Sequence, residues 1–187
     1  GANGSGKTTL LNIVTGLETA DAGIVRLDAI PLLNHSPRAR AALGMARGFQ
    51  HPEIPSGIDV LAAVSVAAGP AAGMAALQRV GLGERAREPA TSLGPAARRR
   101  LDIARALAAG PSVLLLDEPA SGLSASERGD LAVLLRDLAA GGMAVVVVEH
   151  GMDFLLPIAD RLVCLEAGRV LAAGVTDAVR QDPAVIA

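Results

Sequence analysis

Gly1-Ala2-Asn3-Gly4-Ser5-Gly6-Lys7-Thr8 opens the chain. It satisfies the pattern G-x-x-x-x-G-K-[ST], in which glycines let backbone N–H groups close around phosphate oxygens. From Lys7 to Gly16 the apolar residues Leu10, Leu11, Ile13 and Val14 recur at helical spacing, and Gly16 suits a C-terminal stop. A loop running straight into a helix aims the helix's positive end at the same anion. In this pattern Lys7 reaches the outer phosphates and the Thr8 hydroxyl ligates Mg²⁺, with Asn3, Gly4, Ser5, Gly6 and Thr9 completing the phosphate-binding set. Lys7 is also the only lysine among 17 basic residues. Arginine serves everywhere else, as expected if this one position needs a compact ammonium that fits where a planar guanidinium does not.

Working outward, the next decisive run is Val113-Leu114-Leu115-Leu116-Asp117-Glu118. Four apolar residues at strand length predict a strand buried on both faces, and Ala144 to Val148 reads the same way. Between them Ser124 and Glu127 have capping-box spacing, Leu131, Leu134, Leu135 and Leu138 form an apolar stripe, and Gly141-Gly142 ends the helix. Strand, helix, strand implies a parallel sheet. Asp117 and Glu118 then sit at the carboxyl end of a strand, where α/β sheets place ligands. That position suits Asp117 for holding Mg²⁺ and Glu118 for polarising an attacking water, a general-base role contributing roughly 10²–10⁴ in rate.

The remaining segments are read more coarsely. Ile24 to Leu27 is a strand candidate, and Pro31 to Arg40 a polar, proline-broken connection. Asp59 to Arg87 reads as short helices of an inserted lobe. Leu162–Leu165 and Arg169–Ala172, joined by Glu166-Ala167-Gly168, predict a hairpin, and Thr176 a cap for a last short helix. Arg98-Arg99-Arg100 reads as a solvated helix face.

The composition narrows the class. With 187 residues, 51% hydrophobic, the chain has the size of one compact domain with a core. Cys164 alone makes no internal disulfide, which fits a reducing compartment. A net charge of -2 gives no broad basic surface for nucleic acid. Leu61 to Leu77 is alanine-padded and interrupted by Gly69, Pro70 and Gly73, so it predicts no membrane span. No initiator Met or leader-like stretch opens the chain. A phosphate loop ordinarily follows a strand, so we expect an N-terminally truncated domain with a central sheet position left unpaired.

Taken in order, these motifs resemble the ATP-binding cassette (ABC) ATPases over nearly the whole chain. The resemblance implies an α/β fold: a P-loop NTPase core with a parallel sheet plus a small inserted helical subdomain, the core at 1–50 and 108–187 and the helical part at about 51–107. It implies that Gln50, in Gly48-Phe49-Gln50, senses Mg²⁺ and the γ-phosphate, and that His150 contacts that phosphate. Ser121-Gly122-Leu123-Ser124 takes the place of the family's D-loop. ATP and Mg²⁺ are the implied cofactors.

The signature departs from the family pattern. Arg100 to Leu107 matches the helix after the family's LSGGQ, which places Leu93-Gly94-Pro95-Ala96-Ala97 in the signature's position. Only the leucine survives there. A two-residue shift recruits Ser92 and Gly94 but leaves Leu93 and Pro95 in place of a glycine and the glutamine. Because two ATPase domains of this family meet head to tail, an intact phosphate loop beside an eroded signature predicts a heterodimer.

Glu149-His150-Gly151-Met152-Asp153, Ile158-Ala159-Asp160-Arg161 and the ending Gln181 to Ile186 most resemble the ATPases of branched-chain amino-acid importers. The stretch between Gln50 and the signature is shorter than that subunit's. The resemblance implies permease partners, indirectly a solute-binding protein, and a place on the cytoplasmic face of the membrane. The competing classes are a catalytically weakened regulatory cassette and a non-transport ABC ATPase. The family stacks adenine on an aromatic upstream of the loop. Here the aromatics are Phe49 and Phe154 alone, so weak ATP binding with little adenine selectivity is expected.

Overall fold

A computed structural model describes residues 4–48 and 56–186. Helix α1 spans Lys7–Thr15 and ends on Gly16, whose left-handed φ of 82° lets its N–H and that of Leu17 return to the last turn. Arg40, 3% exposed, reinforces this end by donating Nη1 to the Ile13 and Val14 carbonyls at 2.5 and 2.7 Å. The last-turn carbonyls of a helix have no partner of their own, so a buried guanidinium there satisfies acceptors that would otherwise be stranded.

The sheet is built on the strand predicted from Val113 to Leu116. Strand β3 (Met45–Gly48), β4 (Val113–Asp117) and β5 (Ala144–Val148) pair in that order, all parallel. Residues 114 to 117 of β4 are buried, as the unbroken apolar run requires of a central strand. The similar run of β5 does not behave that way. It lies at the edge of this sheet, with Val146 45% exposed, because no described residue pairs with its outer side. The hairpin that follows, β6 (Arg161–Glu166) and β7 (Arg169–Val175), forms its own two-stranded antiparallel sheet.

Helix α6 (Ala125–Ala140) connects β4 to β5 and carries both halves of the predicted capping box. Ser124 Oγ accepts from Glu127 N–H at 3.3 Å, and the Glu127 carboxylate accepts from Ser124 N–H at 2.8 Å. That backbone donor holds the Glu127 carboxyl below the usual carboxylate range. Leu131, Leu134, Leu135 and Leu138 are all buried against the sheet.

Helices α3 (Val60–Ser65), α4 (Gly69–Arg79) and α5 (Pro95–Leu107) occupy the region read as an inserted lobe. Their core is not separate: Val60, Val64, Leu77, Leu101 and Ile103 belong to the same apolar cluster as Leu114, Leu116, Leu131 and Leu135. Helix α5 is the bridge. Gly48 shows how closely it approaches, since a Cβ there would lie 2.7 Å from Leu116 Cδ2 and 2.8 Å from Asp102 Oδ2. Gly48→Ala is therefore expected to cost about 1–3 kcal/mol by overpacking, measured as a shift in the denaturant midpoint without a change in slope.

Four local expectations differ from what is found. The Ile24–Leu27 strand shrinks to β1 (Arg26–Leu27), which pairs with β2 (Ile30–Pro31) around Asp28, while Ile24 is 74% exposed. The connection from Pro31 to Arg40 contains the start of α2 (Pro37–Ala42), where Ser36 accepts from Ala39 N–H and Pro37 supplies the first helical φ. Pro37 does not break this helix, because it sits at the one helical turn that tolerates it. Thr176 does not cap α8 (Thr176–Arg180): Val175 holds the cap position, and the Thr176 hydroxyl donates to the Ala159 carbonyl instead. In the arginine triplet only Arg98 is exposed, and Arg100 Nη1 donates to the Val80 carbonyl at 3.0 Å, closing the end of α4. Two short α-helices, α7 (Met152–Leu155) and α9 (Pro183–Ile186), and two 3-10 turns, Gly83–Arg85 and Ala90–Ser92, complete the described elements. Among the described residues no helix is long and apolar enough to cross a membrane.

Candidate active site

The parallel register aligns the carboxyl ends of the three strands. Gly48 lies opposite Leu116, and Asp117 opposite Val148. The candidate residues follow from these ends: Glu118 after β4, and Glu149 and His150 after β5, at one edge of the sheet. Gln50 follows β3 in sequence but lies, with Asn3, outside the described residues.

At the phosphate loop, Gly4 and Gly6 have φ of 79° and 92°, values a side chain would disfavour. Gly6 is the N-cap of α1, makes no side-chain cap, and no acidic residue occupies the first turn. The positive end of a nine-residue helix is thus left for an external anion. Ser5 is buried, its carbonyl accepts from Gly168 N–H at 3.2 Å, and its hydroxyl accepts from Lys7 Nζ at 3.2 Å. The loop is therefore braced on the turn of the β6–β7 hairpin. Thr8 and Thr9 are exposed at the start of α1.

Asp117 is buried, with a side chain 2% exposed. Its Oδ2 pairs with Arg47 Nη2 at 3.2 Å, while Oδ1 is buried without a protein partner. A half-satisfied buried carboxylate is the donor that a hard cation completes, since Mg²⁺ takes one or two carboxylates together with phosphate oxygens and water. Asp117 and the exposed Thr8 hydroxyl are hard oxygen donors of that kind, so the residues present fit Mg²⁺.

Glu118 adopts φ of 46°, uncommon for a residue with a side chain and costing of order 1–3 kcal/mol. Its backbone is pinned on both sides, N–H to the Val148 carbonyl at 2.8 Å and carbonyl to Ser121 N–H at 3.2 Å. The strained conformation leaves the carboxylate 23% exposed, with Oε1 3.9 Å from His150 Nδ1. His150 is exposed and also lies 3.9 Å from Glu149 Oε2. Glu149, buried, uses its other oxygen to accept Ala120 N–H at 2.8 Å, which ties the loop after Glu118 to the loop bearing His150. The structure thus brings Glu118 and His150 together, and Asp117 beside α1.

The degenerate signature segment lies at the start of α5. Leu93 is buried, Gly94 is the N-cap and Pro95 is the first helical residue. Phe154 is buried in the core and presents no stacking face, while Phe49 lies outside the described residues.

Residues 1–121 match the family described as ABC transporter. The chain belongs to the ABC transporter family. As a member it is an ATP-binding domain whose hydrolysis of ATP drives transport. The high-affinity branched-chain amino acid transport ATP-binding protein LivG of Salmonella typhimurium is 31% identical over all of this chain and 83% of its own length. A Burkholderia cenocepacia protein named for ribose/galactose/methyl galactoside import is 31% identical over 92% of this chain and 36% of itself. Among solved structures, the ADP conformation of MJ1267, an ATP-binding cassette of an ABC transporter, superposes with a TM-score of 0.90. It is 26% identical, over 98% of this chain and 83% of that one. The alignment with LivG runs to 211 positions against 187 residues here.

Sequence reasoning passed over Arg47, Asn12 and the structural part played by Glu149. The available signal was slight: Arg47 is the one charged residue within β3, and charge inside a buried strand calls for a partner.

Proposed function

We propose that this chain is one of two different ATPase subunits of an importer for branched-chain amino acids or similar small solutes, held at the cytoplasmic membrane face by permease subunits. The single observation that carries the catalytic part is Asp117 and Glu118 at the end of β4, with Glu118 3.9 Å from His150. LivG's printed role supports the amino-acid reading, and the Burkholderia relative keeps sugars as the second class.

In this reading Asn3, Gly4, Ser5, Gly6, Lys7, Thr8 and Thr9 hold the phosphates, with Lys7 on the outer ones. Thr8, Asp117 and Gln50 would hold Mg²⁺, which when bound offsets phosphate charge as the transferred group develops it. Glu118 takes a proton from the attacking water as its oxygen bonds to the γ-phosphorus and the bond to the β-phosphate oxygen breaks. His150 donates to the γ-phosphate, and Glu149, through Ala120, keeps the two loops in step. We divide the domain into a core at 1–50 and 108–187 and a helical part at about 51–107, with α5 shared between their apolar cores.

Pairing with an unlike ATPase follows from the contrast between an intact loop and Leu93-Gly94-Pro95-Ala96-Ala97. Proline at the first helical position has no N–H to offer phosphate. The test is steady-state hydrolysis by this chain alone and with the ATPase encoded beside it. Activity only in the mixture is expected; cooperative hydrolysis by this chain alone, with the behaviour of two equal sites, contradicts the heterodimer. A mixture active only through its partner's site favours a regulatory cassette. Because Phe154 is buried and offers no stacking face, the base is expected to add little to affinity, so ATP and inorganic triphosphate should bind with dissociation constants within about threefold, where a stacked base would contribute ~1–3 kcal/mol; calorimetric titration decides.

A further inference from the structure

The Arg47 guanidinium joins three elements at one point. From β3 it reaches Asp117 Oδ2 on β4 through Nη2 at 3.2 Å, and Asn12 Oδ1 and Thr15 Oγ1 on α1 through Nη1 at 2.6 and 3.3 Å. The Thr15 hydroxyl donates its own proton to the Leu11 carbonyl at 2.8 Å, which leaves a lone pair for Arg47. Arg47 and Asp117 are 13% and 2% exposed, so the pair is nearly dry. Asn12 and Thr15 lie three residues apart on the same helix whose first turn carries Lys7 and Thr8.

A guanidinium whose task was simply to neutralise a carboxylate would take both of its oxygens in a fork. Here the fork is shared, and Asp117 Oδ1 is left buried with no partner. The geometry assigns Arg47 the role of resident counter-ion and positioning residue for Asp117. It holds Oδ2 in place and leaves Oδ1 as the acceptor for a divalent cation, so that its charge also limits how tightly that cation is taken. This rests on the proposal that Asp117 serves Mg²⁺-nucleotide.

Arg47→Met tests it through binding and stability rather than turnover. Thermal melts in EDTA are compared with melts in MgADP, and the Mg²⁺ midpoint of ADP binding is measured by calorimetry. Removing one partner of a buried pair is expected to lower the melting temperature by roughly 6–20 °C in EDTA. MgADP is expected to recover part of that loss, since the metal supplies the missing charge. The Mg²⁺ midpoint is expected to fall by about threefold or more as the like charge is removed, while Arg47→Lys, which keeps the charge, stays near the unaltered midpoint. If Arg47→Met does not fold, Arg47→Gln retains a donor and carries the same expectations. Equal losses in EDTA and MgADP with an unchanged or raised Mg²⁺ midpoint would make Arg47 a packing residue and overturn the role. An unaltered chain that binds ADP with no Mg²⁺ dependence would overturn the Asp117 assignment and the counter-ion role with it.

Discussion

Glu118→Gln is expected to slow ATP hydrolysis by roughly 10²–10⁴-fold, the range that a positioned general base contributes, while nucleotide affinity stays close to that of the unaltered chain. Glutamine preserves the size of the side chain and can occupy the same space near His150, so binding contacts survive. What it loses is the capacity to accept the water's proton. The strained φ of 46° and the two backbone hydrogen bonds around Glu118 belong to the main chain and persist in the variant. A large loss of rate with retained binding therefore isolates the carboxylate's chemistry from the fold. Steady-state phosphate release and calorimetric binding on the same preparation give the two readings.

Lys7→Arg should weaken MgATP binding by roughly tenfold to a hundredfold, corresponding to the loss of one or two charge-assisted hydrogen bonds. Charge is conserved in this variant, so a purely electrostatic role would leave affinity nearly unchanged. Shape is what changes. Lys7 lies against the buried Ser5 hydroxyl at 3.2 Å, inside a loop whose backbone is fixed by Gly4, Gly6 and the contact to Gly168. A guanidinium there must push on Ser5 or leave the loop. Stability should fall little, because α1 is held at its other end by Arg40 and Arg47. Equilibrium titration, with a melt as control, distinguishes lost binding from lost structure.

The parts of this protein that were legible in the sequence are those where a local rule and the tertiary context agree. The buried β4 run, the capping box of α6 and the tight hairpin turn at Ala167-Gly168 each carry their own signal in residue type and spacing. The phosphate loop and the Asp117–Glu118 pair were legible because their chemistry dictates both identity and position along the chain. The misreadings arose where neighbours decide the outcome. Val145 to Val148 look like a central strand, yet burial depends on what lies beside β5, which no residue within it encodes. Pro37 marks a helix start only because Ser36 precedes it with a free hydroxyl. Thr176 has a cap's side chain, but the helix starts at Thr176 itself with Val175 at the cap position, and the hydroxyl donates to the Ala159 carbonyl.

Arg47 belongs to the same class of difficulty at the site itself. Its three partners lie 32 to 70 positions away, so spacing alone could not associate it with Asp117. Glu149 is similar, since its buried link to Ala120 is visible only once β4 and β5 are paired. Both residues support motif residues rather than forming a motif of their own.

The most direct measurement of the central claim is single-turnover hydrolysis of trace ATP by an excess of this chain mixed with the proposed partner ATPase, followed with and without Mg²⁺ and with and without Glu118→Gln. Mg²⁺-dependent phosphate release that disappears with Glu118→Gln in this chain is the predicted result; release that persists unchanged in the variant, or none in any mixture, would contradict the assignment of a hydrolytic site to these residues.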